Sequence, residues 1–251
     1  MTDGHSEWIR RHRAAPEAPV QVVCFPHAGG SASYYRPMAA LFPVAEVLAV
    51  QYPGRQGRVN EPGVADFAEL TERTLAALRG ARDRPVALFG HSMGALLAFE
   101  VAKRLEAEGA GPLALFASGA RSPGRPLPGH SPAATDEELI TELAALDGTD
   151  ARLLDHADMR ALVLSALRAD YRTLESYRYD GRTVACPVVS LTGDADGFVP
   201  VDDAAAWAAH TTGPFDLRVF PGGHFYLDDH WDGVRTVVTE RLRAHLPTPA
   251  G

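Results

Sequence analysis

Two short stretches dominate the chemistry this chain can do: a serine bracketed by glycines in Gly90-His91-Ser92-Met93-Gly94, and a histidine behind a glycine pair in Gly222-Gly223-His224. A serine hydroxyl is a poor nucleophile until a base accepts its proton, so the two together imply acyl transfer through a serine. The pattern G-x-S-x-G recurs in unrelated chains, and its meaning comes from context. Here the apolar run PVALF precedes it and MGALLAFEVAKRLEAEG follows it, which gives strand, tight turn and helix. Side chains at the flanking positions would collide with neighbouring backbone, hence the glycines. Such a turn lifts the Ser92 hydroxyl clear of a sheet and sets it beside a helix N-terminus, where developing negative charge is favoured.

The base must be chosen among ten histidines. His224 follows the strand-like DLRVF and precedes the last helical pattern. In a parallel sheet this is a loop at the carboxyl edge, the same edge as Ser92, where sites of this kind form. His91 adjoins the serine, but the turn sends neighbouring side chains in different directions. His27 is the rival, and its expected role is to shape its own loop; His5, His12, His210 and His245 read as surface residues. The base also needs a carboxylate to orient it and to stabilise the imidazolium. The segment LTGDADGFVP offers Asp194 and Asp196. Asp196 lies far enough past the strand end to turn toward the histidine loop, whereas Asp194 is expected to cap the turn through its own backbone bonds. Asp228 and Asp229, so near His224, read as the start of the final helix. The order serine, acid, histidine is that of α/β-hydrolases.

An oxyanion hole completes the set. The N–H of Met93, directly after the serine, is one donor, and Ala28 in the loop HAGGSA after an early strand is the other. Each such donor is typically worth about 2.7–4 kcal/mol of barrier. That loop is neither G-x-G-x-x-G nor G-x-x-x-x-G-K-S, which argues against phosphate binding. His224 and His230 are spaced His-x5-His, which does not put two rings on one helix face, so no metal is expected. The chemistry calls for no cofactor.

The elements that must position these residues follow from periodicity. Strands are expected at 20–25, 45–52, 85–90, 112–118, 187–193 and 215–220. Helices are expected at 66–80, with Asp66 as N-cap and Gly80 as stop, at 93–109 ending on Gly109, and at 232–246. Short all-apolar strands alternating with helices mean a mostly parallel sheet covered on both faces. Residues 121–182 break the rhythm with a Pro- and Gly-rich loop and then helical patterns without a strand. Leu139, Ile140, Leu143 and Leu146 form one apolar stripe; Leu162, Val163, Ala166, Leu167 and Tyr171 form another. A helical lid over the serine is the expectation, with a packing helix on long connections as the alternative.

At 251 residues the chain fits one large α/β domain over 1–251, and 46% hydrophobic residues suffice for a sizeable core. A net charge of −8 argues against nucleic acid and anionic membranes as partners. Cys24 and Cys186 sit in apolar runs and read as small core residues rather than a disulfide. The first residues carry no apolar core of a secretory signal, and no apolar run approaches the ~20 residues of a membrane span. The expected location is cytoplasmic.

Together, FPHAGGSASYYRP, VQYPGRQGR, LFGHSMGALLAFEVA, LTGDADGFVP and FPGGHFYL resemble the type II thioesterases, stand-alone hydrolases that accompany modular polyketide synthases and nonribosomal peptide synthetases. The resemblance runs from about Val20 to about Leu246. It implies an α/β-hydrolase fold and a triad of Ser92, Asp196 and His224, with Ala28 and Met93 as oxyanion donors. Gly197-Phe198 after the acid departs from the family's usual proline or small residue and leaves the acid in place. The implied function is editing: hydrolysis of unproductive acyl groups from the phosphopantetheine arms of acyl or peptidyl carrier proteins. Such carriers are usually acidic, which makes Arg55, Arg58, Arg121 and Arg125 candidate contacts. A general carboxylesterase of the same fold would prefer oxygen esters, and an inactive carrier-binding module would lack a catalytic position; here every one is filled.

Overall fold

The computed structural model describes residues 7–42, 44–126, 131–146 and 156–246. Seven strands form one sheet in the order β1-β3-β2-β4-β5-β6-β7. They are β1 Ile9–Arg11, β2 Gln21–Phe25, β3 Glu46–Val50, β4 Val86–His91, β5 Leu115–Ser118, β6 Val188–Gly193 and β7 Phe215–Phe220. All neighbours pair in parallel except β1, which runs antiparallel to β3. Sequence periodicity gave no sign of β1: it is three residues long and two of them are arginines.

The central strands are buried along their whole length because both faces of the sheet are covered. Alternate residues enter separate cores. Val23, Phe25 and Leu48 meet the helices α2 (Phe67–Ala81), α3 (Met93–Ala107) and α5 (Ala157–Ser176). Val22, Cys24 and Phe89 face the other way, onto α1 (Arg36–Leu41) and α6 (Leu227–Leu242). Both cysteines are free and buried. Among the described residues, no helix is long and apolar enough to cross a membrane.

Helix termini obey capping chemistry with two corrections. Asp66 caps α2 by accepting from Glu69 N–H at 2.8 Å. Gly80 does not stop that helix, because Arg82 N–H still bonds Leu78 O at 2.9 Å and the turn is complete before it ends. A glycine in the last turn costs only about 1 kcal/mol of propensity. The final helix begins at Leu227 and ends at Leu242, five residues earlier than periodicity suggests at its start. Asp228 and Asp229 occupy its first turn, where carboxylates favour the dipole.

Between β5 and β6 the described residues hold no strand, only α4 (Asp136–Ala145) and α5; positions 127–130 and 147–155 of the expected insertion lie outside the described residues. A capping box between Thr135 and Glu138 opens α4. Leu139, Leu143 and Leu146 are buried as expected. On α5 the buried face runs Leu164, Leu167, Tyr171, Leu174, while Leu162 is 45% exposed. Residues 156–162 are all exposed, so the first turns of α5 project past their neighbours and the stripe starts later than its sequence suggests.

Candidate active site

Three loops leave the carboxyl edge of the sheet and bring the candidate triad together. The first joins β4 to α3. Ser92 sits there at φ 55°, ψ −121°, a backbone conformation that non-glycine residues rarely adopt. A side chain at Gly94 would place its Cβ 2.0 Å from Phe25 O, and one at Gly90 would come 2.2 Å from Gly94 O. The turn is therefore made by backbone against backbone. Its ends are tied by Ser92 N–H to Ser118 O at 2.8 Å and Ala95 N–H to Ser92 O at 2.9 Å.

The second loop follows β6 and the third follows β7. His224 Nδ1 and Asp196 Oδ2 lie 2.8 Å apart, and both residues are buried. The other carboxylate oxygen of Asp196 accepts from Phe198 N–H at 2.8 Å and Val199 N–H at 3.0 Å, which fixes the acid from behind. Because Nδ1 faces a carboxylate, it carries the ring proton and leaves Nε2 as the free base. Asp194 accepts from Gly222 N–H at 2.9 Å rather than from its own turn, so it clamps the histidine loop to the acid loop. Ala195 N–H to Gly222 O, 2.9 Å, adds a second tie.

Ser92 and His224 line one cleft with Met93, Leu96, Ala120, Arg121, Leu174, Phe198 and Val199. Most of that wall is apolar, and Leu174 comes from α5. A buried acid-oriented histidine beside a serine on a strained turn can transfer an acyl group.

His91 and His27 have other partners. His91 Nδ1 bonds Ser118 Oγ at 2.9 Å, and Ser118 Oγ bonds Tyr226 OH at 2.7 Å. Its ring stands 5.0 Å from that of His224. Burial lowers the His91 pKa, and the nearby His224 and His27 add to this. His27 packs edge-on against Tyr34 and Phe225, and burial, then His224 and Arg55, push it down to about 3. Both rings are neutral at neutral pH and wall the base rather than share its proton. His210 is a correction: it is buried against Phe99, Tyr179 and Trp207, with Nδ1 3.1 Å from Tyr179 OH.

The loop after β2 carries Ala28. Tyr35 OH donates to Phe25 O at 2.8 Å and Tyr52 OH to Pro26 O at 3.1 Å. Gly29 N–H donates to Asp170 Oδ2 at 2.7 Å, and Arg55 Nη1 donates to Gly30 O at 2.8 Å. Arg55 also pairs bidentately with Asp170, at 2.8 and 2.7 Å. Burial works against the Arg55 charge, and Asp170 more than offsets it, so its pKa is raised. Two expected partner contacts are thereby corrected: Arg55 is buried on Asp170, and Arg58 is buried with its guanidinium on Gln51 O and Glu61. Arg121 pairs with Asp203 and donates to Phe198 O at 2.9 Å, which leaves Arg125 as the exposed member of the four. The roles of Asp170, Tyr35 and Tyr52 went unread in the sequence. The one available signal was an acid within the apolar stripe Leu167, Asp170, Tyr171, Leu174.

The thioesterase-domain family model matches residues 20–244. The chain is 45% identical over 250 residues to a probable cadicidin biosynthesis thioesterase of Streptomyces griseus, covering 99% of this chain and 69% of that one. It is 43% identical over 239 residues to thioesterase PikA5 of Streptomyces venezuelae, covering 94% and 85%. Among solved structures it is similar to the type II thioesterase BorB from the borrelidin biosynthetic cluster. That match has TM-score 0.88 and 47% identity and covers 95% of this chain and 99% of that one.

Proposed function

This chain belongs to the thioesterase family, and from that premise we propose that it is an editing hydrolase that clears acyl groups from the phosphopantetheine arms of acyl or peptidyl carrier proteins. The observation that carries the chemistry is the 2.8 Å contact of His224 with buried Asp196, in the cleft that also holds Ser92. Ser92 Oγ attacks the thioester carbonyl carbon while His224 Nε2 takes its proton. The tetrahedral oxyanion is met by the N–H groups of Ala28 and Met93. The C–S bond breaks, and the departing thiolate takes the proton from His224. Water then attacks the acyl-enzyme, gives its proton to His224, and the free acid leaves with Ser92 restored. A thiolate leaves more readily than an amine, so the demand on the general acid is modest.

The apolar cleft suits an acyl chain, with Leu96, Leu174, Phe198 and Val199 as its wall. A wider groove lined by Arg125, Leu174, Tyr177, Arg178 and Tyr179 shares Leu174 with it and is our candidate entry for the carrier's arm. The helices of the insertion would then act as the lid, with α5 between arm and serine. The test is hydrolysis of an acyl-carrier protein beside a matched oxygen ester. Faster turnover of the carrier thioester supports editing; faster turnover of the ester would make the protein a carboxylesterase of the same fold.

A further inference from the structure

Ala28 lies in a four-residue turn, His27 to Gly30, closed by Gly30 N–H to His27 O at 3.0 Å. Gly29 stands at φ +75°, as the third residue of a type II turn must. The peptide between His27 and Ala28 is planar and trans, so its N–H points opposite to its C=O. With His27 O turned inward to Gly30, the Ala28 N–H is turned outward. The orientation of that donor is thus decided by whether the turn holds its shape.

Two buried side chains grip the far half of the turn. Asp170 Oδ2 takes the Gly29 N–H, and Arg55 Nη1 takes Gly30 O, while the two residues bind each other through both carboxylate oxygens. Asp170 belongs to α5, a helix from the insertion, and Arg55 follows β3. The same helix packs Leu167 against this turn: a Cβ on Gly29 would lie 3.5 Å from Leu167 Cδ1. Three residues beyond Tyr171, it also supplies Leu174 to the cleft. A buried ion pair adds little net stability over an apolar pair of the same size. What it adds here is a charged grip on backbone groups one and two residues past an oxyanion donor.

We propose that Asp170 and Arg55 are positioning residues for the oxyanion hole, and that through Asp170 the hole is formed only when helix α5 is seated. The proposal rests on the reading of Ala28 N–H as an oxyanion donor. A helix that walls the cleft then also switches its electrostatics: when α5 lifts, the turn loses the acceptor at Gly29 and Arg55 loses its counter-ion.

The test uses the full chain and a small acyl-thiol thioester, so that carrier docking plays no part. Asp170→Asn keeps the size and an acceptor but removes the charge. The expected result is a fall in kcat of about 10–100-fold, as for a displaced oxyanion donor, with KM changed little. A trifluoromethyl ketone of the same chain length, which forms a charged tetrahedral adduct on Ser92, weakens by the same factor. Wild-type kcat and inhibitor affinity per folded molecule, with only the melting temperature lowered, would overturn the proposal. If Asp170→Asn does not fold, Arg55→Lys keeps the charge pair and removes the contact with Gly30 O, and an unchanged kcat there overturns it equally. Ala28→Pro separates the two readings, since proline suits the second residue of such a turn and deletes only the N–H. Full activity in Ala28→Pro sinks the donor assignment itself; a large loss there beside wild-type kcat in Asp170→Asn sinks the coupling alone.

Discussion

The loops of the candidate triad and the loop of Ala28 all leave the same edge of the sheet, but they are fastened by different means. Ser92, Asp196 and His224 sit on turns tied chiefly main chain to main chain, Ser92 N–H to Ser118 O, Asp194 N–H to Phe220 O and Ala195 N–H to Gly222 O, with one local side-chain clamp from Asp194 to Gly222 N–H. The Ala28 loop is gripped instead by side chains from distant segments, Tyr35, Tyr52, Arg55 and Asp170. Backbone fastening follows from the sheet and resists substitution. Side-chain fastening can be tuned, and one of its grips comes from a part of the chain that is not the sheet at all.

Substitution at the nucleophile has the largest expected effect. Ser92→Ala lowers kcat by about 10⁵–10⁶-fold if the serine acts as a unit with its base, and it leaves the melting temperature near wild type. A fluorophosphonate labels the wild type once; labelling that survives Ser92→Ala would remove the residue from its role. Next comes the acid. Asp196→Asn costs about 10⁴-fold in kcat by favouring the wrong histidine tautomer. Asp194→Asn loses one charged acceptor on Gly222 N–H and costs about 10-fold. Similar losses at both would mean that the Asp194 clamp outweighs the main-chain ties of the histidine loop, and the contrast between the two regions would fail.

Acid stability probes both regions at once, because His91 belongs to the backbone-fastened turn and His27 to the other loop. Both are held neutral when folded and titrate near 6.5 when unfolded. Below pH 6.5 the unfolded chain therefore takes up protons that the folded chain refuses. Stability is complete above that pH and declines on acidification, by at most about 1.4 kcal/mol per pH unit for each ring. Melting curves between pH 7 and pH 5 should flatten equally in His27→Gln and His91→Gln. Flattening in His27→Gln alone would mean that the oxyanion loop opens by itself.

The smallest effect is at the groove mouth. Charge reversal at Arg125 and Arg178 should raise KM for acyl-carrier protein a few-fold, about 1 kcal/mol or less, most at low salt. A small acyl-thiol substrate should not notice. Equal losses on both substrates would make these arginines structural, as Arg58 is on Gln51 O and Glu61.

The same contrast explains what the sequence made legible. Strands β2 to β6 are legible because burial on both faces requires largely apolar runs, β7 because FDLRVF alternates apolar and polar residues on a half-exposed edge, and the serine turn because a Cβ at Gly94 would fall 2.0 Å from a main-chain oxygen, so only glycine fits. Distance along the loop points to Asp196 over Asp194, and the Asp196 carboxylate meets His224. The strand β1 escaped because Ile9–Arg11 is too short and too charged to show alternation. The depth of Arg55 and Arg58 escaped because sequence reports a charge and not its burial; the partner of Arg55 lies 115 residues away. Leu162 fits the stripe by spacing, and stays exposed because the stripe outlasts the surface it packs on.

The contact of Gly94 with the main chain of Phe25 has a consequence for descent and for engineering. Since the posture of Ser92 is set by peptide against peptide, no neighbouring side chain needs to be kept for it. Leu96, Phe198 and Val199 can be exchanged to admit longer, branched or aromatic acyl groups while the Ser92 hydroxyl stays where it is. Leu174 stands apart, because its helix also carries Asp170 to the Ala28 loop. A library confined to the other three positions should yield enzymes that differ in what they cleave and agree in how they cleave it.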